Sequence, residues 1–251
     1  MLSLRKGRYD VRFAETPQDL RAAQRLRWLA FVARSRGEDD GSALDADDMD
    51  PVCRHVLIED SRSGVLVCCF RFLPLASGAE IDQSYSARYY NLDTLRDFDG
   101  PMVEMGRFCI HPQHQDPDLL RLAWGAMTGF VDTHGVQMLF GCSSFVGTRP
   151  DDYADAFAML KDRHLAPRRW LPRVKAPQVF RFARALRGQR PDPRKAMAAM
   201  PPLLRSYLAM GGWVSDHAVV DPQLDTLHVF TGLEIGAIPA ARKRALRLLA
   251  G

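Results

Sequence analysis

Two ionisable residues, Glu104 and Arg107, stand inside the apolar run Met102-Val-Glu-Met-Gly-Arg-Phe-Cys-Ile-His-Pro112. An unpaired charge in a core is costly, so a buried strand carrying such a pair either holds an ion bridge or lines a site. In a regular strand, residues three apart face opposite sides. One extra residue at Gly106 would bring both side chains to one face, and a glycine within a strand often marks such a bulge. A bulge would also turn a backbone N–H toward a cleft. The chemistry open to this arrangement is amine acylation. Glu104 would take a proton from an amine, directly or through water, as the amine attacks an acyl carbon. The freed N–H would stabilise the tetrahedral oxyanion. The competing reading is a purely structural ion bridge.

Other candidates are weaker. Cys142 lies in Gly141-Cys-Ser-Ser-Phe145, which is expected to be a turn and resembles a nucleophile elbow only loosely, with Phe145 where the second glycine would stand. A small residue at a strand end is the plainer reading. His111, His114 and His134 lack the spacing of zinc ligands. The run Asp45 to Asp50 fails as a calcium loop, having Asp50 at the glycine position and Val56 at the glutamate position. Arg71 ends an apolar run and reads either as a snorkelling edge residue or as part of a site. There is no Walker loop and no dinucleotide fingerprint. The segment His111-Pro-Gln-His-Gln-Asp-Pro-Asp118 contains no glycine and puts two acids at a helix start. A pyrophosphate would be repelled there, which argues against a nucleotide cofactor such as coenzyme A held in the usual way.

The elements that must position these residues follow from pattern. Residues 8–14 alternate as a strand. Thr16-Pro17-Gln18-Asp19 opens a helix that carries Leu20, Ala23, Leu26, Ala30 and Ala33 on one stripe to about residue 36. Arg25, Arg27, Trp28 and Phe31 fall on or beside its edges. Residues 38–50 are an acidic loop by composition. His55–Asp60 and Val65–Phe72 form a hairpin around Ser61–Gly64. Residues 77–100 are polar, with a short helix start at Asn91. The central strand at 102–110, a helix from Asp116 to a stop at Gly135, and a strand at 136–142 make a crossover unit, so these two strands should be parallel. A second helix spans Asp151 to His164. Helix at Pro202–Met210, strands at Trp213–Val220 and Thr226–Thr231, and a basic helix after Pro239 complete the chain.

The 251 residues, 47% hydrophobic, support a real core and exclude global disorder. No apolar run is long enough to span a membrane, and no apolar segment follows the basic N-terminus as a secretory signal would require. Five cysteines without C-x-x-C spacing suit a reducing, cytoplasmic compartment. The net charge of +4 is unevenly spread. Seven acids and no base occupy residues 38–50, while residues 161–195 hold twelve Lys or Arg against two Asp. That basic block suits an acidic carrier protein or an anionic membrane surface. Its few aromatics and the absence of a recognition motif speak against nucleic acid.

Taken together, several stretches resemble the bacterial L-ornithine N-acyltransferases. They are Ala23-Gln-Arg-Leu-Arg27 with Phe31; Asp45, Asp48 and Cys53-Arg-His55; and Phe70-Arg-Phe-Leu-Pro74. The others are Glu104-Met-Gly-Arg107 with His111-Pro112, Leu139–Thr148 and Pro201–Leu208 with Gly211. The likeness covers roughly residues 10–245. It implies an α/β fold of the GCN5-related acetyltransferase (GNAT) type, also seen in acyl-homoserine lactone synthases. Its mixed central sheet would be splayed between two parallel strands and flanked by helices. It implies one domain over 8–250, with a basic helical insertion at about 161–200. The implied donor is a 3-hydroxyacyl chain on the phosphopantetheine of acyl carrier protein, and the acceptor is the α-amino group of L-ornithine. The product would be lyso-ornithine lipid, made in the cytoplasm with peripheral contact at the inner membrane, without a bound cofactor or metal. Glu104 is then the base, and Arg107 its partner or a binder of substrate carboxylate or pantetheine phosphate. Arg71, Asp45 and Asp48 are acceptor-side candidates, and Ser143 and Cys142 are expected beside the pantetheine arm. A departure is Asp221-Pro-Gln-Leu-Asp-Thr-Leu-His228, where the family usually has an aromatic at Leu224 and an acid at His228. The rival expectations are a lactone synthase using S-adenosylmethionine and a catalytically silent membrane- or carrier-binding member of the fold.

Overall fold

The computed structural model describes residues 3–33, 41–114 and 116–250. The strands are β1 Ser3–Lys6, β2 Tyr9–Phe13, β3 Arg54–Asp60, β4 Leu66–Leu75, β5 Tyr90–Asn91, β6 Met102–Ile110, β7 Met138–Val146, β8 Arg173–Val174, β9 Val179–Phe180, β10 Trp213–Asp221 and β11 Thr226–Glu234. The helices are α1 Pro17–Arg27, α2 Pro117–His134, α3 Ala154–Arg163, α4 Phe182–Ala185, α5 Pro193–Ala199, α6 Pro202–Ala209 and α7 Ala240–Ala250. The chain divides into two compact units. One comprises Met1–Pro74, Met105–Val136 and Ala240–Gly251, the other Leu75–Glu104 and Gln137–Pro239. Strand β6 passes from one to the other.

In the first unit β1, β2, β3 and β4 are successive antiparallel neighbours, and β4 lies next to β6. Thr16 caps α1 by accepting from Asp19 N, and Asp19 returns the bond to Thr16 N, as the Thr-Pro-Gln-Asp spacing predicts. The continuation of that helix is a π-helical turn, Trp28–Val32; the expected end near residue 36 lies outside the described residues, as do Glu38, Asp39 and Asp40 of the acidic loop. Leu57, Cys69 and Cys109 on the sheet pack under Ala23 and Leu26 of α1. Helix α2 starts on Asp116, whose carboxylate accepts Asp118 N at 2.9 Å, and stops on left-handed Gly135 (φ 60°). Helix α7 packs along α2. Strand β1 has no alternation strong enough to be read from sequence.

The second unit supplies the parallel pair. Met102–Glu104 of β6 run beside Met138–Phe140 of β7. Strand β7 is also antiparallel to β11 from Met138↔Glu234 to Val146↔Thr226, and β11, β10 and β9 follow in antiparallel order. The segment Gly141–Phe145, expected as a turn, is continuous strand. Its register to β11 is unbroken from Gly141↔Thr231 to Phe145↔Leu227, so an elbow geometry is absent and the nucleophile reading of Cys142 has no support in the backbone. Phe145, Phe157, Leu160, Phe182, Leu204, Val214 and Val229 form the core between this sheet and α3, α4 and α6. Residues 77–100, read as polar, bury Ile81, Tyr90 and Leu95 through three short 3₁₀ turns.

Candidate active site

Glu104 is 4% exposed, at the last residue of the parallel pairing. Its carboxylate accepts Tyr85 N–H at 2.8 Å, Ser86 N–H at 2.7 Å and the Ser86 hydroxyl at 2.6 Å. The 3₁₀ turn Ser86–Arg88 has no side-chain cap of its own, so Glu104 satisfies N–H groups that a helix start leaves orphaned. Ser84 braces the same turn, donating to Ile81 C=O at 2.6 Å and accepting Ala87 N–H at 3.1 Å. Ser86 Oγ lies 3.5 Å from Cys142 Sγ. Since alternate residues of a strand share a face, Cys142 and Phe140 lie on the Glu104 side of the sheet. Ser143 lies on the other, buried, accepting the Thr231 hydroxyl at 2.9 Å. Nothing in the sequence run 77–100 marked Ser86; the signal available was the tight series of small and aromatic residues Ser84-Tyr-Ser-Ala-Arg-Tyr-Tyr90.

On the same face Tyr90 donates to His228 C=O at 2.7 Å, and His228 Nδ1 sits 3.2 Å from the same phenol oxygen. Burial pushes the His228 imidazole down to about 4, with nearby His217 pushing the same way and Asp221 opposing. His228 is therefore neutral at pH 7. The sign for stability follows from that depression. The folded state excludes a proton that the unfolded chain binds below its ordinary 6.5, so the contribution is complete above pH 6.5 and is lost as pH falls toward 4. Between pH 7 and pH 4.5 the loss amounts to about 2–3 kcal/mol. Urea titrations at both pH values should show that difference shrinking by this amount in His228→Asn; an unchanged difference would contradict it.

Within the other unit, three arginines and three aspartates form a closed ionic cluster. Arg71 Nη1 binds Asp47 Oδ1 at 2.5 Å and Asp50 Oδ1 at 2.6 Å, while Nη2 binds Asp47 Oδ2 at 2.8 Å. Arg27, placed on the helix edge by its spacing, is 1% exposed. It reaches Asp50 at 2.7 and 3.0 Å, Asp45 Oδ2 at 2.9 Å and the Asp45 carbonyl. Arg107 reaches Asp47 at 3.0 Å and Asp45 at 3.5 Å. Gln24 Nε2 donates to Asp50 at 2.9 Å. Burial favours the neutral acids, but the bonds from Arg27 and Gln24 outweigh it at Asp50, as those from Arg71 do at Asp47, and both carboxyls are held below the usual range. His55, against the Asp50 carbonyl at 3.0 Å, is lowered by burial.

Arg71 is thus an internal ion-pair residue, not a snorkelling one. Asp45 belongs to the cluster, whereas Asp48 is exposed. Asp47 and Asp50, which sequence reasoning passed over, carry most of the bonds. The backbone of β6 is irregular next to Gly106. Arg107 itself takes φ 54°, a left-handed conformation that costs a non-glycine residue energy and persists where surroundings over-determine it. The carboxylates of Asp45 and Asp47 are those surroundings.

Residues 26–125 match the model of the Acetyltransferase (GNAT) domain. The L-ornithine N(alpha)-acyltransferase of Rhodobacter capsulatus is 32% identical over 239 residues, covering 92% of this chain and 91% of that protein. The chain belongs to this family. The enzyme of the same name from Rhizobium meliloti is 29% identical over 91% of this chain and 81% of its own length. Among solved structures, an N-acyl amino acid synthase from uncultured soil microbes overlaps over 97% of both chains, with 12% identity and a TM-score of 0.47. The mixed sheet of parallel and antiparallel strands with flanking helices is that expected for a GNAT domain.

Proposed function

We propose that this L-ornithine N-acyltransferase family member moves a 3-hydroxyacyl chain from acyl carrier protein to the α-amino group of L-ornithine, the first step in making ornithine lipid. The observation that carries the reading is Glu104, buried yet bonded to a hydroxyl, in a chain related to named ornithine acyltransferases over nearly its whole length. The neutral amine attacks the thioester carbonyl. Its proton passes to Ser86 Oγ while the Ser86 hydroxyl proton moves to Glu104, the amide forms, and the carrier's pantetheine leaves as thiolate. Ser86 suits the relay because its oxygen keeps a lone pair after donating to Glu104.

The choice of carrier protein over coenzyme A is supported at the start of α2. Asp116 occupies the helix N-terminus, Tyr9 donates to its other oxygen at 2.6 Å, and Asp118 follows in the first turn. A pyrophosphate would meet two carboxylates there instead of open N–H groups. Arg71 and Arg107 are engaged by Asp45, Asp47 and Asp50 in the ionic cluster of the first unit, so this reading gives them, Asp45 and exposed Asp48 no substrate contact. Cys142 is assigned to the pantetheine arm through its place beside Ser86, and Ser143 to a supporting role beneath it. Contact with an anionic inner membrane completes the reading. Among the described residues no helix is long and apolar enough to cross a bilayer. The test mixes purified protein, 3-hydroxyacyl carrier protein and single amino acids. Release of carrier thiol only with ornithine supports the proposal; release only with S-adenosylmethionine, or with no acceptor at all, overturns it.

A further inference from the structure

We infer that the outer face of α7 is the surface by which the protein lies on an anionic bilayer. This rests on the acyl-transfer reading only in its motive: an N-acylated amino acid partitions into lipid. The observation is independent of it. Helix α7 reads Ala240-Ala-Arg-Lys-Arg-Ala-Leu-Arg-Leu-Leu-Ala250, with four bases and no acid. Lys243, Leu246 and Leu249, at spacings of three, are its half-buried row, and the helix packs along α2. The exposed apolar row is Ala241, Ala245 and Leu248, at i, i+4 and i+7. Leu248 is 79% exposed, more than Val52, Val146, Leu165 or Met197.

The cations are arranged about that stripe. At 100° per residue Arg242 falls on one flank, and Arg244 and Arg247 on the other. Arg247 is bound by Asp132 of α2, at 2.8 and 3.1 Å. Arg242 and Arg244 are exposed, and their long stems can run beside the apolar stripe while the guanidinium groups stay outward. An apolar line edged by cations on both sides is the pattern of a helix lying in a membrane interface. It fits the two-part chemistry of a bilayer surface, anionic headgroups over an acyl boundary. An acidic protein such as the carrier would satisfy the arginines without requiring an exposed leucine between them.

The experiment uses the whole chain and vesicles of phosphatidylcholine with or without about one-third phosphatidylglycerol, read by co-sedimentation. Wild-type protein should bind the anionic vesicles, release as salt rises, and ignore neutral ones. Each arginine near the surface is worth about a fivefold change in partitioning, so Arg242→Gln with Arg244→Gln should weaken binding by roughly twentyfold. Leu248→Asp should weaken it comparably. Both variants should keep the wild-type melting temperature and the wild-type rate with soluble carrier protein. The inference fails if wild type does not bind anionic vesicles, or if the variants bind as wild type does. It fails equally if they lose affinity for the carrier protein instead, or if Leu248→Asp only dissociates a dimer in sedimentation velocity. A protein that binds vesicles through α7 yet releases no thiol with any amino acid would sink the acyl-transfer reading and leave this one standing.

Discussion

Glu104→Gln is expected to lower turnover by about ten- to ten-thousand-fold per folded molecule, the range of a lost general base. The substitution is isosteric, but the pocket is built for a carboxylate. Two backbone N–H groups and one hydroxyl converge on its two oxygens at 2.6–2.8 Å. A glutamine amide offers one oxygen, and its NH₂ would face a donor. Stability should therefore fall as well, by about 1–3 kcal/mol, as a buried donor loses its acceptor. The two effects separate in practice. Folded fraction is read from circular dichroism, and turnover is divided by it. Ser86→Ala removes the hydroxyl while leaving both N–H contacts, so it should cost less stability than Glu104→Gln while still lowering turnover by tenfold or more. If both variants unfold more easily but keep wild-type turnover per folded molecule, Glu104 is only the acceptor that pins the Tyr85–Arg88 turn. The base must then be sought elsewhere.

That ambiguity was already present in the sequence, and its source is physical. An ionisable residue in an apolar strand announces that something compensates it, but not what. For Glu104 the compensation is the Ser86 hydroxyl and the backbone N–H groups of residues 85 and 86, and backbone donors leave no mark in a sequence. For Arg27, Arg71 and Arg107 it is Asp45, Asp47 and Asp50, acids of a run read from sequence only as an acidic loop. What spacing alone could not decide was which acids turn inward, because a loop has no period. The elements fared better because each carries local chemistry. Thr16 with Asp19, Asp116 with Pro117, and Gly135 each appear where the cap or stop was expected. The strand β7 ran longer than its apolar core because Cys142–Val146 keep pairing with β11, a non-local partner that residues 136–142 do not reveal.

Arg71→Met should cost about 3–5 kcal/mol, the penalty for removing one partner from a buried ionic group. Arg71 is 3% exposed, and its fork serves Asp47 through two bonds and Asp50 through a third. Without it two carboxylates rely on Arg27, Gln24 and Arg107. At about 2–4 °C per kcal/mol for a chain of this size, the melting temperature should drop by roughly 10 °C. Arg71→Lys should recover little of this, since a point charge cannot fill a planar fork shared between two acids. The pH dependence carries a sign that can be checked. Asp47 and Asp50 are lowered in the folded protein, so their stabilisation is present above the ordinary carboxylate range and is lost as acid protonates them. The gap between wild type and Arg71→Met should therefore be widest at neutral pH and narrow below about pH 4. A gap that holds constant with pH would mean that Arg71 stabilises by packing, not by charge. The same cluster also holds Arg107 in its left-handed conformation through Asp45 and Asp47. Asp47→Asn should then loosen β6 at Arg107, read as faster amide hydrogen exchange there than in wild type, because strain at that residue persists only while its partners hold it.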